Sequence, residues 1–224
     1  MNKLLTTVFA FAAVSLAGMA NIASAQDIVG DAKAGHAKVD MCIGCHSIVG
    51  YQASFPEVHK VPKISGQGAK YIISALNAYK KGERKHPTMR GIADSLSDQD
   101  MADVAAYYSA SGVVEGVAPP VKPAVVPSAQ VAALLTKGAC VSCHGDNFSK
   151  PIDPTYPKIA GQHADYLFVA LKSYKTEGNA LVGRSNAIMG GVAKQFSNAE
   201  LKAMAGYVHS LDGELKVVPQ SRFR

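Results

Sequence analysis

The chain has 224 residues, a formal net charge of +6 at pH 7, 48% apolar residues, four cysteines and no tryptophan. That length suits one medium domain or two small ones, each large enough for a modest core. The basic residues form no dense stripe, which argues against nucleic acid as a partner; the densest run, residues 80–85, reads as a solvated helix end. At the N-terminus, Lys3, the uncharged stretch 4–20 and Ala23-Ser24-Ala25 have the three parts of a secretory signal peptide. Residues 1–25 are therefore expected to be removed, leaving Gln26 first, with an uncleaved anchor as the alternative. Export to the periplasm is the expected localisation.

The remaining chain reads as helical throughout, in two similar halves. Asp31 is placed to cap a helix running through Ala34 and Val39 into the first pair of cysteines, and Ser128 to cap its counterpart with Val131, Leu134 and Leu135 on the apolar face. Apolar residues recur at three and four over 69–81 and 164–175, predicting amphipathic helices. Ser97-x-x-Asp100 and Ser197-x-x-Glu200 are capping-box signatures opening a last helix in each half. Residues 62–80 align without gaps on 157–175 with 11 of 19 positions identical, and Met89-x-Gly91-x-Ala93 matches Met189-x-Gly191-x-Ala193. A tandem duplication accounts for this. The predicted organisation is a first domain at 26–112, a Pro-rich linker at 113–127 and a second domain at 128–224, a fold that is all-α. Basic and acidic residues balance at ten each over 26–118 but stand at twelve and seven over 119–224, predicting an electrical dipole.

Four cysteines in an exported chain would ordinarily suggest two disulfides. Here they fall as Cys42-Ile43-Gly44-Cys45-His46 and Cys140-Val141-Ser142-Cys143-His144. On a helix, residues three apart share a face, so both sulfurs of a pair can meet one edge of a flat ligand while the following histidine reaches its centre. That is the arrangement of covalent haem attachment, with His46 and His144 as proximal iron ligands. Disulfides or redox thiols leave both histidines without a role. Zinc would have to gather all four sulfurs from two separate repeats. Two haem c groups are the expected cofactors.

The duplication narrows the second axial ligand. Met101 aligns with Leu201 and Met204 with Val104, as core residues do. Met41, His36, His86, His163 and His209 each align with a residue that cannot ligate, and His59 lies in a loop without a clear counterpart. Only Met89 and Met189 recur, each expected in an irregular segment ahead of Gly91 or Gly191. Histidine plus methionine fills all six iron positions and raises the reduction potential. Such a site suits electron transfer and leaves no position for a substrate.

The sequence resembles the dihaem cytochrome c4 family, tandem class I c-type cytochromes, over nearly the whole chain after residue 25. The resemblance is carried by Pro157-Lys158-Ile159-Ala160-Gly161-Gln162-His163, Asn186-Ala187-Ile188-Met189, Pro62-Lys63-Ile64-Ser65-Gly66-Gln67 and His86-Pro87-Thr88-Met89. It implies two class I cytochrome folds, each wrapped around one haem. It also implies that the carbonyls of Pro62 and Pro157 accept the second imidazole N–H of His46 and His144. Gly68, where the second copy has His163, and the longer loop 47–60 depart from equivalence of the two halves. Within that loop His59 reads as an exposed histidine, with a contact to haem as the alternative.

The expected function is a periplasmic electron shuttle, monomeric and not an enzyme. Its expected donor is a quinol-oxidising cytochrome c reductase or a dehydrogenase, and its acceptor a terminal oxidase. A peripheral membrane association stays open. Two rivals also stay open: a dihaem subunit bound to a flavocytochrome-type dehydrogenase such as a sulfide dehydrogenase, and a dihaem enzyme, which would need a displaceable sixth ligand.

Overall fold

The computed structural model of the chain describes residues 28–221, so the signal peptide expected at 1–25 lies outside the described residues. No helix among them is long and apolar enough to cross a membrane. Among the described residues ten helices form two sets of five. The first set is α1 (Ala32–Lys38), α2 (Asp40–His46), α3 (Ala69–Lys80), α4 (Pro87–Asp94) and α5 (Asp98–Ala110). The second is α6 (Ala129–Lys137), α7 (Cys140–His144), α8 (Ala164–Ser173), α9 (Ala187–Ala193) and α10 (Asn198–His209).

The expected caps form. Asp31 accepts from the backbone N–H groups of Lys33 and Ala34, and its own N–H donates to the Asp103 carboxylate at 2.8 Å, which ties α1 to α5. Gly35 lets these two helices touch: a Cβ there would lie 2.1 Å from the Asp103 carbonyl oxygen. Ser128 caps α6, and Ser97 and Ser197 close full capping boxes on α5 and α10. The helix from Asp31 does not run unbroken into the first cysteine motif. Val39 leaves helical geometry between α1 and α2 and places its side chain, fully buried, in the core.

Each half has its own apolar core. Val39, Ile43, Ile72, Leu76, Met101, Val104 and Tyr108 build the first; Leu134, Leu135, Phe148, Leu167, Leu201, Met204 and Val208 build the second. Met101 and Met204 are core residues on the last helix of each half, as their apolar counterparts Leu201 and Val104 predict.

Four two-residue strands complete the fold of the described residues. β1 (Gln52–Ala53) and β2 (His59–Lys60) pair within the longer loop of the first half. β3 (Arg84–Lys85) and β4 (Gly183–Arg184) pair antiparallel across the two halves, Arg84 opposite Arg184. The linker from Gly112 to Pro127 is largely exposed and is pinned by the Tyr207 hydroxyl, which donates to the Val125 carbonyl at 3.1 Å. The chain after α10 then crosses back to the first half. The Lys216 N–H donates to the Ser65 carbonyl, and Gln220 donates to the Tyr107 hydroxyl at 3.1 Å.

Candidate functional site

Both cysteine motifs are helical. α2 carries Cys42, Cys45 and His46, and α7 carries Cys140, Cys143 and His144; all four thiols are free. The two helices are held differently. Ala139 enters α7 in left-handed backbone at φ 49°, and Gly145 leaves it at φ 80° with no room for a Cβ, which would lie 2.2 Å from the Lys150 carbonyl oxygen. In the first half, Ser47 follows α2 at an ordinary φ of −108°.

His46 Nδ1 lies 2.9 Å from the Pro62 carbonyl oxygen and His144 Nδ1 lies 3.1 Å from that of Pro157. A carbonyl only accepts, so each Nδ1 carries the proton and each Nε2 keeps its lone pair. Burial lowers the proton affinity of both rings below the usual histidine range, the carbonyls opposing it. Both are therefore neutral imidazoles, the form that ligates a metal. Burial also raises the Cys42 thiol to about 11 and shifts Cys140 the same way. Reactive redox cysteines have depressed values, so these two have the wrong environment for thiol exchange. No group of three or more His, Cys, Asp or Glu side chains that could hold a metal ion occurs among the described residues.

Met89 and Met189 are not in irregular segments. They occupy the first turns of α4 and α9, where His86 and Asn186 act as N-caps by accepting from the Met89 and Met189 backbone N–H groups. Pro87 at the start of α4 lacks the N–H that such a position leaves unpaired anyway. A capped first turn is a stiffer mount for a side chain than a loop, so the thioether direction is set by helix geometry.

These groups line one continuous cavity of about 820 Å³ that contains both cysteine pairs, both motif histidines and both methionines. Single small-molecule sites span about 300–1,000 Å³, so this one is at the large end. Paired thiols, a neutral imidazole and a thioether in each half fit haem c: the thiols as bonding partners of the macrocycle, imidazole and thioether as axial donors.

The two halves meet around this cavity through near-symmetric bonds. Gln162 accepts from Lys63 N–H at 3.0 Å and donates to the Lys63 carbonyl at 2.9 Å; Gln67 makes the same two bonds to Lys158, both at 2.9 Å. Lys63 Nζ donates to the Gly161 carbonyl and Lys158 Nζ to that of Gly66. The longer loop 47–60 reaches across as well. Glu57 pairs with Lys172 at 2.6 Å and Lys60 with Asp165 at 3.4 Å.

Two expectations are corrected here. His59 is not exposed: only 5% of its surface is accessible, its Nδ1 is bonded to the Glu57 carbonyl and its ring lies 6.2 Å from that of Tyr166, because the loop folds against α8. Residues 80–85 follow the expected solvated helix end at Lys80, Lys81 and Glu83, which are exposed, but Arg84 turns inward onto the Tyr79 ring and the hydroxyls of Tyr71 and Tyr166. The recurrence of arginine at 84 and 184, one hundred residues apart like the methionines, was the signal that could have exposed this. Likewise, the alignment of His86 with Asn186 held the cap, and the repeated Gln67 and Gln162 held the interface.

The cytochrome c family model matches residues 32–109 and 128–212. Cytochrome c4 of Stutzerimonas stutzeri is 33% identical over 222 aligned residues, covering 94% of this chain and all of that protein. A thiosulfate dehydrogenase electron acceptor of the same species is 30% identical, covering 88% of this chain and 90% of that one. The crystal structure of reduced recombinant cytochrome c4 from Pseudomonas stutzeri is similar with a TM-score of 0.57 and 32% identity, over 82% of this chain and 100% of that one.

Proposed function

We propose a specific electron-shuttling role for this chain, which belongs to the cytochrome c4 family. As a member it has two tandem cytochrome c domains, carries two covalently attached haem c groups and is a dihaem electron-transfer protein, an electron carrier and not an enzyme. In our reading Cys42 and Cys45 hold one haem by thioethers, with His46 and Met89 as its iron ligands. Cys140, Cys143, His144 and Met189 do the same for the other. The carbonyls of Pro62 and Pro157 fix each imidazole with Nε2 as the donor atom. The observation that carries this reading is the recurrence of one donor set in both halves on a single shared cavity.

Haem c supplies reversible one-electron chemistry; this chain's residues make that chemistry an electron-transfer step without substrate binding. An imidazole and a thioether at each site would hold the haem iron and leave no open position for a substrate. The apolar cores and stiff helical mounts of Met89 and Met189 hold the ligands in place in both oxidation states. That one cavity is lined by both donor sets supports electron passage between them within one molecule. The chain works in the periplasm as a monomer, receiving electrons from a quinol-oxidising cytochrome c reductase and delivering them to a terminal oxidase. The uneven distribution of basic residues steers partners of different charge to different halves.

A second reading concerns the donor. The relative named as a thiosulfate dehydrogenase electron acceptor favours a periplasmic dehydrogenase of an inorganic sulfur compound in that place. Stopped-flow mixing of oxidised protein with each purified donor separates the two readings. Fast, salt-sensitive reduction of both haems by the reductase is expected; reduction only by the dehydrogenase would move the protein to the second reading.

A further inference from the structure

The contact between the halves buries Arg84 and half-buries Arg184, neither with a carboxylate partner. Arg84 and Arg184 face each other across the β3–β4 pair. Arg84 Nη1 donates to the Tyr71 hydroxyl at 3.2 Å and Nη2 to the Tyr166 hydroxyl at 2.7 Å, while its guanidinium lies 4.5 Å above the Tyr79 ring. Arg184 Nη2 donates to the same Tyr166 hydroxyl at 3.2 Å and its guanidinium lies 5.3 Å from the Tyr174 ring. All these partners are neutral. Among the described residues no carboxylate forms an ion pair with either arginine, and Arg84 Nε has no hydrogen-bond partner at all. A guanidinium taken out of water without a counter-charge is costly, and the cost falls mainly on Arg84, the more fully buried of the two. Both side chains line the cavity that holds the two donor sets. Haem carries two carboxylates as propionate side chains; Glu83, the one carboxylate among the described residues that line this space, is exposed and forms no ion pair with either arginine.

We propose that Arg84 and Arg184 form one cationic seat for haem propionates at the domain interface, with Arg84, held by a tyrosine hydroxyl from each half, acting on both haems. The proposal rests on the reading of this cavity as the site of both haems. It makes the arginines tuning residues for the reduction potentials, and it gives the two sites a shared electrostatic element through which the charge of one is felt at the other.

Tyr166 reports on the seat. Burial would push its hydroxyl up, but the two guanidiniums outweigh burial and hold it at about 8. Carboxylates on the arginines cancel that pull, so Tyr166 stays protonated well above this value in the loaded protein. Tyr71, Tyr79 and Tyr174 face the same arginines, and Asp165 and His59 are the other ionisable neighbours of Tyr166.

The test uses the haem-loaded protein and two readouts. Spectroelectrochemical titration should show both midpoint potentials lowered in Arg84→Gln, at least one by about tenfold in the reduction equilibrium constant, or 59 mV. Arg84→Lys should recover most of that loss because it keeps the charge. Potentials in Arg84→Gln within about twofold of the parent equilibrium constant would overturn the proposal. So would parent potentials that move with phosphate or chloride at fixed ionic strength, since a small anion would then hold the seat. Tyrosinate absorbance needs no variant that might misfold: no tyrosine should titrate near pH 8 in the parent. A tyrosine that does, and is lost in Tyr166→Phe, would refute the seat. A parent without two haems, or without the charge-transfer band of methionine-ligated ferric haem, would instead reject the underlying reading.

Discussion

Replacing Gly35 with Ala sets helix propensity against packing, and the structure decides the sign. In an unconstrained helix the change gains about 1 kcal/mol, because alanine loses less backbone freedom on folding than glycine. In α1 the new Cβ would lie 2.1 Å from the Asp103 carbonyl oxygen, 2.7 Å from its carbon and 2.9 Å from the Tyr107 Cβ. The first two are backbone atoms of α5 and have no rotamer to retreat to. α1 must move by more than 1 Å to restore contact at about 3.5 Å. That movement opens the bond from Asp31 N–H to Asp103 and weakens the contact of Lys38 Nζ with the same carboxylate, 2.7 Å apart. Overpacking of this kind costs about 1–3 kcal/mol, and a lost bond to a charged group adds about 1.5–3 kcal/mol. After the propensity gain, the expected net loss is about 1.5–5 kcal/mol. Gly206 supplies the control: it lies in α10 with nothing within 4 Å of its would-be Cβ, so Gly206→Ala should be neutral or stabilising by up to about 1 kcal/mol. Guanidinium unfolding of the haem-loaded protein, followed by far-UV circular dichroism, measures both. A Gly35→Ala protein as stable as Gly206→Ala would refute the close crossing of α1 and α5.

Other consequences can be checked separately. Met189→Ala should open the second haem to external ligands and lower its potential, leaving the first unchanged; imidazole titration followed by absorbance reads this, and unaltered spectra would remove Met189 as a ligand. Gln162→Ala leaves Lys63 N–H and C=O without their cross-domain partner, at about 1–3 kcal/mol for each group that stays buried, and should raise protease sensitivity of the linker; Gln67→Ala should do the same. The Asp103 carboxyl is held below the usual carboxylate range by the Asp31 N–H first, then by Lys38 and Gln99. A depressed folded value means the stabilisation is present above the unfolded value of about 3.9 and is lost as pH falls through the folded one. Asp103→Asn should therefore flatten the acid limb of the stability curve below about pH 4, and an unchanged acid limb would count against the Asp31–Asp103–Lys38 link.

What could be read from the sequence was local or repeated. Ser97 and Ser197 announce their capping boxes within four residues, and the cysteine motifs carry their helical spacing internally. The methionines stood out because only they recurred at matched positions. Their helical mounts did not, since histidine is an uncommon N-cap and seven- or eight-residue helices with a central glycine give little periodicity. Arg84 and His59 were misplaced for a different reason: Tyr166 on α8, which covers His59 and completes the seat of Arg84 beside Tyr71 and Tyr79, belongs to the other half. The same holds for the tail that crosses back to Ser65. A single chain's pattern shows which faces are apolar, but not which polar side chains a second domain will cover.

Carbon monoxide binding to the reduced, haem-loaded protein at neutral pH, followed by absorbance, tests the central claim most directly. Two irons each held by histidine and methionine predict no binding at either haem. Rapid binding at one of them would mean a labile or absent sixth ligand there, and would contradict the assignment of that methionine and the reading of both sites as closed electron-transfer centres.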